Sequence, residues 1–167
     1  MRTIIQVLML VAFPGLVIAG GKHADSHQDH GSHAMSHMDD QTHEVAAGRP
    51  GNPVRVDRTI TVLMNDTMRF EPASMTFKAG ETIRFVVKNT GKITHEMVIG
   101  TLDELKEHAD MMKKMPGIAH AEPNMISLAP GEQGDLVWKF YNTGTFDFAC
   151  LIPGHLEAGM SGRIKIE

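Results

Sequence analysis

Cysteine is almost missing from this chain: Cys150 is the only one in 167 residues, and Trp and Tyr also occur once each. A single thiol cannot close an internal disulfide, so no disulfide framework holds the fold. Basic runs are missing as well. The 16 Lys and Arg stand against 20 Asp and Glu, for a formal charge of -4. That balance leaves no electrostatic footprint for nucleic acid, which is excluded as a partner. No apolar run reaches the ~20 residues that cross a bilayer.

The longest apolar run, Ile4 to Ile18, follows Arg2 and is broken by Gln6, Pro14 and Gly15. Small residues follow, with Val17-Ile18-Ala19 as a cleavage signal. This layout predicts a secretory signal peptide over residues 1–19 and a periplasmic mature protein with no membrane segment. No cysteine stands at the cleavage point, which argues against a lipid anchor there. Loss of Arg2 moves the formal charge to -5. An exported protein meets an oxidising compartment, where a lone thiol invites pairing or oxidation. Cys150 therefore bridges to another chain, hides as a small buried hydrophobe, or is held by a metal, which deprotonates and protects the sulfur.

Thirteen methionines and ten histidines are the excesses. Thioether and imidazole are both copper ligands, although methionine also fills irregular cores. Six of the histidines, at 23, 27, 30, 33, 37 and 43, lie with Met35 and Met38 between residues 20 and 53. That stretch has too few large apolar residues to bury a core and reads as a disordered tail. Its composition predicts weak, multi-site binding of additional copper or zinc. Cleavage after Gly20 in place of Ala19 would start the mature chain Gly21-Lys22-His23, whose amine, two amides and imidazole suit Cu(II).

From Val54 the character changes. Val54, Val56, Ile60, Val62 and Met64 share one parity, and further short apolar runs lie between Gly80, Asn89 and Gly91, then at DLVWKF, TFDFAC and GRIKIE. Many short strands with polar turns predict an all-β fold, an antiparallel sandwich or barrel, over residues 54–167. One insertion differs. TLDELKEHADMMKKMPG has Thr101 and Glu104 at capping-box spacing and ends at Pro116-Gly117, which predicts a short helix near 102–115. Leu102, Leu105, Ala109 and Met112 form its packing stripe. His108, Met111 and Met115 lie on an adjoining face, and with His120 and Met125 they form a candidate second copper site.

Parity also orients the thiol. Phe146, Phe148 and Cys150 share one face of a strand, and His95 shares a face with Ile93, Met97 and Ile99. Both candidate ligands point inward. In CLIPGHLEAGM, four residues separate Cys150 from His155 and four more separate His155 from Met160, with Pro153-Gly154 and Gly159 allowing tight turns. Thiolate, two imidazoles and an axial thioether make the ligand set of a type 1 copper site, whereas zinc has little use for the methionine.

This C-x4-H-x4-M loop, the lone upstream histidine and the MRFEPASMTFKAGETIRF stretch resemble the cupredoxins. The loop spacing is similar to rusticyanin, auracyanin and phytocyanin, and the helix insert with TFDFACLIPGH resembles bacterial periplasmic cupredoxins linked to copper tolerance. The resemblance covers residues 54–167. It implies a Greek-key β-sandwich with one type 1 copper bound by His95, Cys150, His155 and Met160. In many cupredoxins an Asn follows the first histidine and ties the ligand loops together; Glu96 stands there in this chain.

Four protein ligands leave no open position on the metal, which points away from an enzyme and toward one-electron redox. A His- and Met-rich tail is more than a pure carrier needs, so copper binding and copper tolerance are the expected function. The alternative is a dedicated electron-transfer carrier with a redox protein partner. A trimeric oxidase-like assembly stays open, because the sequence does not set oligomeric state.

Overall fold

The computed structural model describes residues 45–114 and 121–167. The elements run β1 (Arg49–Pro50), β2 (Arg58–Asn65), β3 (Arg69–Glu71), β4 (Ser74–Phe77), β5 (Thr82–Asn89), β6 (His95–Gly100), α1 (Leu102–Lys114), β7 (Met125–Leu128), β8 (Gln133–Lys139), β9 (Gly144–Ala149) and β10 (Ser161–Ile166). They form two five-stranded sheets, ordered β1-β8-β5-β2-β3 and β4-β10-β9-β6-β7. This is the expected all-β sandwich with one inserted helix.

Alternation builds the core. Ile83, Phe85 and Val87 of β5, Leu136 and Trp138 of β8, and Phe146 and Phe148 of β9 face inward and are buried. Phe148 meets Phe70 edge-on at 4.9 Å between ring centroids, which ties the two sheets together. Two pairings are parallel, β2 with β5 and β4 with β10. Between the paired strands of each seam the chain passes through the other sheet, and that crossing restores its direction. The sandwich is thus mixed at those two seams and antiparallel elsewhere.

The packed chain begins earlier than Val54. Val45 and Gly48 form a bridge, Ala47 is fully buried and its carbonyl accepts from Trp138 Nε1 at 3.3 Å, and β1 pairs with β8. The sequence from Val45 to Pro53 reads as tail because it carries few apolar side chains, yet backbone pairing and one small buried residue dock it. Val54, in contrast, is 85% exposed and Val56 precedes β2, which starts at Arg58. The rest of the predicted tail and the signal peptide lie outside the described residues.

The helix starts as its capping box predicts: Thr101 Oγ1 accepts from Glu104 N at 3.3 Å and Glu104 Oε2 accepts from Thr101 N at 2.7 Å. Its buried stripe is Leu105, His108 and Ala109, while Leu102 is 49% exposed. The stripe is rotated from the expected one: His108 joins it, Leu102 leaves it and Met112 is half-buried. Leu105 and Ala109 pack on Val98, Ala149 and Leu151. This explains why all six residues of β6 are buried: one face meets the core and α1 covers the other. Among the described residues, no helix is long and apolar enough to cross a membrane.

Truncating the inter-sheet wedge tests this packing. Phe148→Ala should destabilise the protein by about 3–5 kcal/mol, read as a fall in the urea midpoint at constant m.

Candidate metal centre

The site forms where β6 and β9 lie side by side. Val98 stands opposite Ala149 and Ile99 opposite Phe148, so the start of β6 meets the chain leaving β9. His95 opens β6 and is fully buried; Cys150 follows β9 and is fully buried too. The next ten residues fold back tightly. His155 N donates to Ile152 O at 2.9 Å, Ala158 N to Gly154 O at 3.1 Å, and Met160 N to His155 O at 3.0 Å. Cys150 N then donates to Met160 O at 3.1 Å and closes the loop at the start of β10. Gly154 and Gly159 take φ of 92° and 93°, the left-handed region that favours glycine.

The ligand-capable atoms of His95, Cys150 and His155 lie within 4.8 Å of one another, near enough for one ion to touch all three. Cys150 Sγ is 3.1 Å from His155 Nδ1. The imidazoles of His95 and His155 sit 5.1 Å apart, tilted by 53°. Met160 is fully buried in the same core cluster as Cys150. Burial pushes the Cys150 thiol up to about 12, with the Glu96 N–H and the Ile152 N–H pulling the other way. Burial, then the neighbouring His95, holds His155 below the usual histidine value, which favours the neutral imidazole that a metal needs. His95 Nδ1 is buried with no hydrogen-bond partner. A buried nitrogen left without a partner is costly in a protein interior, and a soft cation beside a thiol and a second imidazole would satisfy it. The donor set therefore fits copper.

The family model of the copper binding proteins of the plastocyanin/azurin family matches residues 56–167. The chain belongs to that family. It is 49% identical over 143 residues to the copper-resistant cuproprotein CopI of Rubrivivax gelatinosus, covering 86% of each chain. Identity to the CopI of Vibrio cholerae serotype O1 is 32% over 166 residues, covering 96% of this chain and 98% of the relative. Among solved structures, dithionite-reduced auracyanin from Roseiflexus castenholzii superposes with a TM-score of 0.57 at 25% identity, covering 67% of this chain and 98% of that one. The family assignment makes this a copper-binding protein with a cupredoxin fold.

Within that cupredoxin frame, the ligand loop is held from several sides. Glu96 takes over the tie that sequence comparison expects of an asparagine. Its Oε1 accepts from Leu151 N at 3.0 Å, and its own N donates to Cys150 Sγ at 3.4 Å. Arg69 Nη1 donates to Ala158 O at 3.0 Å from the β3 side. From the helix side, Lys113 Nζ pairs with Glu157 at 2.8 Å and Leu156 packs on the Leu105–Ala109 face. Asp66, in the turn after β2, places Oδ1 3.1 Å from His95 Nε2. The Lys92 N–H, then His95, holds its carboxyl below the usual carboxylate range.

The sequence singles out neither Asp66 nor Arg69. An acid in an Asn-Asp-Thr turn is ordinary turn chemistry, and only the pairing of β2 with β5 brings it near β6. Of the candidate second site, Met115 and His120 lie outside the described residues. His108 is buried, with Nδ1 3.4 Å from Glu122 Oε2, Met111 is 40% exposed, and Met125 packs on the helix-side cluster. Among the described residues, no group of three His, Cys, Asp or Glu ligand atoms includes His108.

The Glu96 tie can be measured without metal. Glu96→Ala leaves the buried Leu151 N–H without its acceptor and should cost about 1–3 kcal/mol in chemical denaturation of the metal-free protein. Glu96→Gln retains an acceptor and should cost clearly less.

Proposed function

We propose that this chain is a periplasmic copper-tolerance protein whose folded domain holds one type 1 copper on His95, Cys150, His155 and Met160. The observation that carries the reading is the convergence of buried Cys150, partly buried His155 and the partnerless, buried His95 Nδ1. The likeness to proteins described as copper-resistant cuproproteins supports the biological half. Bound copper would supply one chemistry, the exchange of a single electron between Cu(I) and Cu(II).

The chain's own residues divide the remaining work. Cys150 offers a sulfur screened from oxidants, and its burial discourages thiolate formation until a cation arrives. His95 offers a ring nitrogen from a strand, and His155, held below the usual histidine value, offers one from a tied loop. Met160, closing that loop, offers a thioether from the core side. The His-rich segment upstream of Val45 would gather copper ions near the domain, with weak multi-site binding.

A second reading, a dedicated electron carrier, draws on one feature. His155 is only partly buried and its loop neighbours Pro153 and Ala158 are exposed, which offers an edge to a redox partner. Two experiments test these proposals. Cu(II)-loaded protein should show an intense thiolate-to-copper absorption band with narrow hyperfine splitting, and Cys150→Ala should lose both. A faint spectrum that survives the mutation would move the copper elsewhere and end the type 1 reading. Deleting residues 21–44 spares the Val45–Gly48 bridge; it should lower copper tolerance in cells while leaving the band intact. Full tolerance in the deletion strain, beside a lost respiratory activity when the whole protein is removed, would favour the carrier.

A further inference from the structure

Asp66 approaches the metal centre from outside the ligand loop, and its position is built by three segments. Oδ1 lies 3.1 Å from His95 Nε2, while Oδ2 accepts from Lys92 N at 2.8 Å. Gly91 leaves the space this requires, since a Cβ there would run into Asp66 Oδ1. Asn89 holds the 91–93 segment in turn: its Oδ1 accepts from Gly91 N at 2.9 Å and its Nδ2 donates to Ile93 O at 2.8 Å and Leu128 O at 2.9 Å. The carboxylate is thus placed by backbone and side-chain bonds that do not involve His95 itself.

An ionised carboxylate can only accept, so the hydrogen between Asp66 and His95 must sit on Nε2. In the neutral imidazole this puts the lone pair on Nδ1, the buried nitrogen that has no hydrogen-bond partner. The negative charge also lies one imidazole away from the position a metal would take. Outer carboxylates of this kind orient a histidine ligand and raise its basicity. A more basic ligand and a nearby anion both favour the higher charge state of the metal. Asp66 is 38% exposed, so solvent screens much of this field and the effect is modest.

We propose that Asp66 is a positioning residue of the copper centre that selects the Nδ1-ligating form of His95 and shifts the copper toward Cu(II), lowering its reduction potential. The proposal rests on the type 1 copper reading above. A turn residue of purely structural value would change stability alone, whereas this one should move the potential.

The test is a spectroelectrochemical titration of copper-loaded full-length mature protein, wild type beside Asp66→Asn. The amide keeps an acceptor for His95 but removes the charge. It should retain the thiolate-to-copper band and shift the Cu(I)-over-Cu(II) preference by about tenfold, a rise of about 59 mV for one electron. A potential that moves by less than about twofold in that ratio overturns the charge role. The tautomer is read separately, from nitrogen–proton spectra of wild-type metal-free and Cu(I) protein. A slowly exchanging Nε2–H on His95, made fast by Asp66→Ala, is expected, and an Nδ1–H there overturns the positioning role. A wild-type protein with no thiolate band would sink the copper reading and not the Asp66–His95 bond, which the metal-free spectrum decides by itself.

Discussion

The register of β6 against β9 is the constraint on which the site depends. Val98 opposite Ala149 places His95 and Cys150 at the same end of two neighbouring antiparallel strands, both facing inward. Side chains alternate along a strand, so a slip of one residue would turn either ligand to the opposite face. The register is defended from both sides of the sheet. Met97, Ile99 and Phe148 lock it from the core, while Val98, Ala149 and Leu151 lock it from under the helix. Glu96 adds a directional bond at the strand end, where pairing would otherwise fray.

Building such a site costs folding free energy. A thiol and an imidazole are fully buried, and one imidazole nitrogen has no hydrogen-bond partner. An interior of apolar side chains would be cheaper at those positions, and a partnerless buried polar atom usually marks a place where function overrides packing. The scaffold around the ligands runs the other way: loop backbone, Arg69, Glu96 and Asp66 are all satisfied by hydrogen bonds. At the site itself, the partnerless atom is one that a metal would engage, while its surroundings are held by several bonds.

Much of this was legible in the chain. Period-two burial at Phe146, Phe148 and Cys150 oriented the thiol, the Thr101–Glu104 spacing located the helix start, and loop glycines marked the turn before His155. What escaped were features that depend on non-local pairing. The docked segment from Val45 to Pro50 has almost no hydrophobic signal, because β1 is held by main-chain pairing with β8 and Ala47 by the Trp138 indole. Asp66 and His95 are 29 residues apart, and they meet only through the parallel β2–β5 seam that periodicity does not reveal. Glu96 was visible as a departure from an expected asparagine, yet its role emerged only when its carboxylate was seen to reach Leu151.

The inserted helix gains meaning from its position. Here α1 packs on the outer face of the β6–β9 pair at Val98, Ala149 and Leu151, and Glu96 of the same strand is buried as well. Water excluded from that face cannot compete for the Leu151 N–H, which strengthens the Glu96 tie. The same helix reaches the loop through the Lys113–Glu157 pair, Leu156 of the loop packs on the helix-side cluster, and Arg69 holds Ala158. A loop held at several points has few conformations to lose when a metal binds. Under the proposed one-electron role that rigidity would keep reorganisation small, which would make the helix as much a part of the site as the loop it holds.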